Sequence, residues 1–169
     1  MKAREKFFVP NALIGDFDSL CSDIASFYNQ LGTDLIPRSD QDMTDSEKGL
    51  QYLIELCDKK DEWRQKKASN LLVLGAFGGR LDHSFQNLNL LMKYTDVLDK
   101  KFENFNLYML NDAGCAVIIK PGRTRYVRSK HLESHKGVGL FPLGGACKSI
   151  KTKGLRWDLG TAFFFAMQS

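Results

Sequence analysis

Leu71-Leu72-Val73-Leu74-Gly75-Ala76-Phe77-Gly78-Gly79-Arg80-Leu81-Asp82-His83 is the stretch that decides the fold. The unbroken apolar run from Leu71 to Leu74 reads as a strand, and the glycines from Gly75 to Gly79 end it. Leu81, Phe85, Leu88, Leu91, Met92 and Leu98 then recur at helical spacing. A strand that passes through a glycine turn into a helix is one half of a βαβ unit, and Leu107 to Leu110 supplies the strand that completes it.

The same alternation continues toward the N-terminus. Asp58 to Asn70 is a charged connection, and it follows a helix with Leu50, Leu53, Ile54 and Cys57 on one face. Thr44-Asp45-Ser46-Glu47 opens that helix with the S/T-x-x-E form of a capping box. Thr33 to Ile36 reads as a strand. Ahead of it, Ala12-Leu13-Ile14 forms the first strand, and Ser19 caps a helix bearing Leu20, Ile24, Phe27, Tyr28 and Leu31. The order β-α-β-α-β-α-β predicts a parallel sheet with right-handed crossovers, which gathers every strand-to-helix loop at one edge.

Of the 169 residues, 43% are hydrophobic and 26% charged, a balance that builds a packed core and excludes a disordered or collagen-like chain. The net charge of +4 hides an asymmetry. Residues 1–113 hold 14 Lys/Arg against 18 Asp/Glu, a net of −4, whereas residues 114–169 hold 10 against 2, a net of +8. Beyond 113 the helical period gives way to short runs: Val117-Ile118-Ile119, Tyr126-Val127, Val138 to Leu143, Ser149 to Thr152, Leu155 to Leu159 and Ala162 to Met167. Pro121-Gly122, Gly137, Gly144-Gly145 and Gly154 separate them. The expected class is α/β: a parallel-sheet α/β domain over 1–113, followed by a small antiparallel β-sandwich domain over 114–169. So short a second unit needs cover from the first or from another chain.

No apolar run approaches the roughly 18 residues of a membrane helix, and Met1-Lys2-Ala3-Arg4-Glu5-Lys6 is too charged for a secretory signal. A soluble, cytoplasmic protein without a membrane partner is expected. Cys21, Cys57, Cys115 and Cys147 lie far apart among apolar neighbours and read as buried free thiols rather than zinc ligands or disulfides. Lys120, Arg123, Arg125, Arg128 and Lys130 alternate as a solvated strand face does, so no nucleic-acid partner is expected.

Three strand-to-helix loops carry the chemistry. The first two are Gly15-Asp16-Phe17-Asp18-Ser19 and Asp40-Gln41-Asp42-Met43-Thr44-Asp45; the third runs from Gly75 to His83. Helix capping accounts for Ser19, Thr44 and Asp45 but not for Asp16, Asp18, Asp40 and Asp42. Carboxylates crowded at one sheet edge become favourable around a hard divalent cation, and Mg²⁺ held by one or two carboxylates plus phosphate oxygens is the usual arrangement in phosphoryl transfer. In the third loop Gly75, Gly78 and Gly79 let main-chain N–H groups approach an anion, and Arg80 adds a fork suited to phosphate. This loop matches neither the Walker A nor the dinucleotide pattern, and such a turn is also common as plain structure. Lys48 either reaches a phosphate or pairs with Asp45. His83 is either a surface histidine or a proton carrier.

Ile14 to Ser19, Asp40 to Lys48, Gly75 to His83 and Thr152-Lys153-Gly154-Leu155-Arg156-Trp157, taken in order, resemble the motifs of the thiamine pyrophosphokinases. The resemblance implies transfer of a pyrophosphoryl group from ATP to the hydroxyl of thiamine by a Mg²⁺-dependent homodimer, with an α/β catalytic domain that binds ATP and Mg²⁺ and a β-sandwich that helps bind thiamine. It implies that Asp16, Asp18 and Asp45 bind Mg²⁺ and phosphates, with Asp40 and Asp42 near them; for the chemical step a loop Asp is expected to accept the hydroxyl proton, and Asp42 is the choice among them. Arg80 and Asp82 correspond to the ATP loop, Gln41 to a thiamine contact, and Trp157 to an aromatic that stacks on thiamine across the dimer; Gly75, Gly78, Gly79 and Lys48 are expected nucleotide contacts from the loop chemistry rather than from the resemblance. An indole face suits a thiazolium cation, and Leu155 and Trp157 are expected on one strand face. The sequence departs from the family pattern in two places: a strand and an Asp/Gly/Ala-rich loop ahead of the first motif, and a Ser-Asn region after Trp157. A second expectation is therefore a shortened, non-catalytic variant that binds metal or a partner chain without turnover.

Overall fold

A computed structural model of the chain describes residues 8–59, 69–102, 105–127, 137–160 and 162–164. By its contacts the chain divides into two compact units, Met1–Lys67 and Ala68–Ser169.

In the first unit β1 (Ala12–Gly15) and β2 (Asp34–Pro37) pair in parallel, Ala12 opposite Asp34 and Gly15 opposite Pro37, with α1 (Ser22–Gln30) between them. The helix starts later than Ser19. Asp16 Oδ1 accepts the Asp18 N–H at 3.2 Å, Phe17 takes a φ of 65°, and the Leu20 N–H donates to the Phe17 carbonyl at 3.0 Å. This side-chain capture of the backbone makes a turn where the capping pattern predicted a helix start, and Cys21 becomes an N-cap without a side-chain hydrogen bond. α1 buries no residue fully; Ile24, Phe27 and Leu31 are exposed, although they keep the expected spacing.

α2 (Asp45–Lys59) begins as predicted. Thr44 Oγ1 accepts the Glu47 N–H at 3.3 Å and the Thr44 carbonyl accepts the Lys48 N–H at 2.9 Å. Leu50, Ile54 and Cys57 form its buried face, joined by Glu47 and Lys48, while Leu53 is half-buried. Burial of Leu50 and Ile54 contributes roughly 1.5–3 kcal/mol each. Most of the charged connection, residues 60–68, lies outside the described residues.

In the second unit β3 (Ser69–Leu74) pairs in parallel with β4 (Phe105–Leu110), from Ser69 opposite Phe105 to Leu74 opposite Leu110. α3 (Leu81–Lys101) connects them and packs on β4. Phe105, Leu107 and Met109 alternate inward from β4 against Leu90, Leu91, Tyr94 and Leu98 of α3. Of the residues the spacing singled out, Leu91 and Leu98 lie in this buried stripe, whereas Leu81 and Phe85 are exposed and Leu88 and Met92 half-buried. α3 carries two apolar stripes of equal period, and contact with β4 decides which is covered. A turn through Asn111 and Gly114 then returns the chain as β5 (Cys115–Val117), antiparallel to β4. The compositional change at 113 thus falls inside a hairpin.

Beyond β5 the one strand pair among the described residues is β6 (Cys147–Ile150) with β7 (Ala162–Phe164), antiparallel and irregular in register. Tyr126-Val127, residues 138–143 and residues 155–159 are not strands. Gly139 and Pro142 weaken the second run as a ladder, and side-chain hydrogen bonds described below bend the third into a loop. Residues 165–167 of the last run, with Arg128 and Lys130 of the basic face, lie outside the described residues. The four thiols are free, as expected, but Cys21 and Cys115 are exposed, because α1 is uncovered and β5 is a short edge strand. Among the described residues no helix is long and apolar enough to cross a membrane.

Candidate active site

β1 ends at Gly15, and the next residue, Asp16, turns back toward the start of α2. There Lys48, one turn into the helix, is 2% exposed. Its Nζ donates to Asp16 Oδ2 and to Asp45 Oδ1, each at 3.2 Å. Of the two readings left open for Lys48, the structure takes the ion pair, and extends it to a second carboxylate. Burial alone would push the Lys48 ammonium down, but the hydrogen bonds it donates to Asp45 and then Asp16 outweigh it and leave its pKa above the ordinary lysine value. The Asp16 carboxyl is held below the usual carboxylate range by the Asp18 N–H first and by Lys48 second.

Gly15 is a part of this site that spacing did not single out. An added Cβ there would stand 3.2 Å from Asp45 Oδ1 and 3.3 Å from Asp45 Cγ, so the missing side chain is what lets the Asp45 carboxylate lie against the end of β1. Asp40 Oδ1 accepts the Asp42 N–H at 2.9 Å, so Asp40, like Asp16, shapes its own loop. Gln41, Asp18 and Asp42 are exposed, and among the described residues the side chains of Asp18 and Asp42 have no hydrogen-bond or ion-pair partner.

In the second unit the turn after β3 runs through Gly78 at φ 109° and Gly79 at φ 65°, conformations that a residue with a Cβ adopts only under strain. Asn87 and Asn111, both missed in the sequence, hold this turn. Buried Asn87 donates from Nδ2 to the Ala76 carbonyl at 2.6 Å, and Asn111 Nδ2 donates to the Phe77 carbonyl at 3.3 Å. Asn111 Oδ1 also accepts the Ala113 and Gly114 N–H groups at 3.0 and 2.9 Å, which closes the β4–β5 turn. An open groove of about 450 Å³ results at the carboxyl ends of β3 and β4, lined by Leu74, Gly75, Phe77, Leu110, Asn111 and Asp112. Sheets of this kind bind ligands at that edge. Arg80, the N-cap of α3, is exposed but paired: its Nε and Nη2 donate to Asp82 Oδ1 and Oδ2 at 3.1 and 2.5 Å, which holds the Asp82 carboxyl down to about 2. His83 is exposed.

Trp157 is 76% exposed in the loop between β6 and β7, with the Arg156 guanidinium 4.6 Å from its ring centroid. It does not share a strand face with Leu155, since that segment is a loop.

Among the described residues no group of three or more His, Cys, Asp or Glu side chains is arranged to hold a metal ion. Two carboxylates do converge on one cationic atom, and Mg²⁺ ordinarily takes one or two carboxylates together with substrate phosphates. Asp16 and Asp45 fit that demand; a cage of protein ligands alone does not form.

The family models described as "Thiamin pyrophosphokinase, catalytic domain" and "Thiamin pyrophosphokinase, vitamin B1 binding domain" match residues 2–108 and 126–168. The chain belongs to the thiamin pyrophosphokinase family. It is 34% identical over 158 residues to thiamine pyrophosphokinase 1 of Oryza sativa subsp. japonica, and equally to that of Arabidopsis thaliana, in each case over 90% of this chain and 53% of the relative. It thus spans about half the length of the curated relatives it matches. The fold is similar to that of the thiamine pyrophosphokinase of Bacillus subtilis, with a TM-score of 0.59, 18% identity and coverage of 94% of this chain and 65% of the other. For the thiamin pyrophosphokinase of Candida albicans the TM-score is 0.50 at 20% identity, over 64% of this chain and 44% of the other. The two family models lie on either side of residue 113, and the motif residues Asp16, Asp18, Asp40, Gln41, Asp42, Asp45, Lys48, Arg80 and Asp82 all fall in the first of them.

Proposed function

We propose that this chain is a thiamine pyrophosphokinase, transferring the pyrophosphoryl group of ATP to the hydroxyl of thiamine to give thiamine diphosphate and AMP. The observation that carries this reading is the convergence of Asp16 and Asp45 on one buried cation at the carboxyl end of β1. Family membership supplies the acceptor.

In this reading residues 1–113 form the catalytic domain and 114–169 the thiamine-binding β-sandwich. Asp16 and Asp45, with Asp18 from the same loop as Asp16, hold Mg²⁺, which when bound neutralises charge on the transferred phosphates. Lys48 acts on the carboxylates rather than on a phosphate, because its ammonium is enclosed between them. The glycine turn offers main-chain N–H groups to the phosphates at the uncapped start of α3, and Arg80 adds its guanidinium once the nucleotide competes with Asp82. Asp42, exposed and unpaired among the described residues, accepts the proton as the thiamine oxygen bonds to the β-phosphorus and the bridging bond to the AMP oxygen breaks. Gln41 and Trp157 take thiamine, the indole face stacking on the thiazolium. Exposed Tyr126, Val127, Val138 and Phe141 favour a homodimer in which a second copy covers this part of the chain.

A coupled assay of AMP release with thiamine, ATP and Mg²⁺ tests the activity. Turnover that needs all three and disappears in Asp16→Asn and Asp18→Asn is expected; ATP cleavage indifferent to thiamine would overturn the reading. Trp157→Ala should weaken thiamine binding more than nucleotide binding. Light scattering should give about twice 19.2 kDa.

A further inference from the structure

The loop between β6 and β7 has no regular secondary structure, yet its backbone is tightly held. Asp158 Oδ2 accepts the Gly154 N–H at 2.9 Å, and Oδ1 accepts the Leu155 N–H at 2.9 Å and the Thr152 hydroxyl at 3.2 Å. Thr152 Oγ1 in turn accepts the Leu159 N–H at 2.7 Å, while the Thr152 N–H donates to the Leu159 carbonyl at 3.0 Å. The hydroxyl therefore uses its proton on Asp158 and a lone pair on Leu159, which closes the loop into a ring from Thr152 to Leu159. Arg156 and Trp157 project from this ring, the guanidinium over one indole face and the rest of the side chain in solvent.

What Asp158 does not do is equally informative. Residues 114–169 hold 10 basic and 2 acidic residues, yet among the described residues Asp158 forms no ion pair. Its hydrogen bonds go to two main-chain N–H groups and one hydroxyl of its own loop, and those bonds, with a smaller contribution from the Lys153 charge, hold its carboxyl below the usual range. A carboxylate committed in this way stores shape rather than charge pairing, and a preset loop spares a ligand the entropic cost of ordering it.

We infer that Asp158 is a positioning residue for Trp157, setting the loop so that Arg156 covers one indole face and the other is presented to a flat cationic ring. This rests on the proposed binding of thiamine at Trp157, and it goes beyond that proposal by naming what presents the indole.

The test uses the full chain with Trp63→Phe, which leaves Trp157 as the one indole, since the sequence has 2 tryptophans. Near-ultraviolet circular dichroism reads the ordering of that indole without any ligand, and calorimetry reads thiamine and ATP separately. Asp158→Ala should lose the indole band and weaken thiamine binding roughly three- to tenfold, with ATP binding and far-ultraviolet signal unchanged. Asp158→Asn should fall between, because its amide keeps an acceptor for Leu155 and Thr152 but turns an NH₂ toward the Gly154 N–H. A full indole band and full thiamine affinity in Asp158→Ala would overturn the inference. If Asp158→Ala unfolds, Asp158→Asn decides: a wild-type band and affinity overturn the inference, intermediate values support it. Thiamine affinity unchanged in Trp157→Ala would instead remove the thiamine reading, while the ligand-free indole band still decides the role of Asp158.

Discussion

Lys48 Nζ donates to Asp16 Oδ2 at 3.2 Å across a sequence separation of 32, and its side chain is 1% exposed where Asp16 remains 25% exposed. The ammonium is thus enclosed while the carboxylate it holds still faces solvent. With Asp45 on the same nitrogen the trio carries a net charge of −1, so the loop after β1 and the start of α2 are drawn together without spending the sites' capacity for a further cation. Asp16 and Asp45 are therefore held in place by the protein's own contacts, as the proposed function requires.

Removing the ammonium should separate those carboxylates. Lys48→Met leaves two anions in mutual repulsion, so the protein should melt several degrees lower and any Mg²⁺-dependent turnover should vanish. Lys48→Arg keeps the charge but places a larger planar group in a closed space, and partial activity is expected. Scanning calorimetry with the AMP-release assay measures both; wild-type melting and turnover in Lys48→Met would show that the trio does not matter. Because the Lys48 pKa is raised and that of Asp16 lowered, the trio's contribution is lost as pH rises above the lysine range or falls below the carboxylate range, and is intact between them.

Gly15→Ala tests the fit of Asp45. The new Cβ at 3.2 Å from Asp45 Oδ1 must displace the carboxylate by a few tenths of an ångström. Stability should fall by about 1 kcal/mol and Mg²⁺ affinity by several-fold, with Gly15→Val worse on both counts. Titration calorimetry with Mg²⁺ alone would expose an error here if Gly15→Ala bound as wild type.

In the proposed function Asp82 competes with a phosphate for the Arg80 fork. Asp82→Asn should free the guanidinium and strengthen nucleotide binding, whereas Arg80→Lys should weaken it roughly tenfold or more. Since Asp82 is held down to about 2, the pair should survive well below the ordinary carboxylate range and open only as pH falls through that value, a course that carbon-detected NMR of the carboxyl group can follow. Both partners are exposed, so global stability should barely respond.

Asn87→Ala should destabilise the chain by about 1–3 kcal/mol, because it leaves the Ala76 carbonyl without its buried donor at 2.6 Å. The glycine turn should loosen with it, raising amide exchange at residues 76–79. Unaltered exchange there would mean that β3 and Asn111 suffice to hold the turn.

The elements were legible wherever a local pattern had no competitor. Thr44-Asp45-Ser46-Glu47 opens α2 as its capping box predicts, and the β3, glycine turn and α3 sequence follows the quoted stretch, because caps, glycine turns and apolar period act within a few residues. Of the acidic loops, the structure brings together Asp16 and Asp45. Tertiary structure decided the rest. It chose the Leu90, Leu91, Tyr94 and Leu98 stripe of α3 over Leu81 and Phe85, since two stripes of one period differ only in what packs on them. It gave Lys48 to Asp16 and Asp45, a choice that periodicity leaves open because a long flexible side chain goes where burial and charge take it. It turned Leu155 to Leu159 from an expected strand into a ring, because Asp158 and Thr152 satisfy backbone groups that a neighbouring strand would otherwise have claimed. Sequence alone thus determined which groups exist and where α2 and the glycine turn begin; folding determined the start of α1 and, through the partners it brought close, what those groups hold.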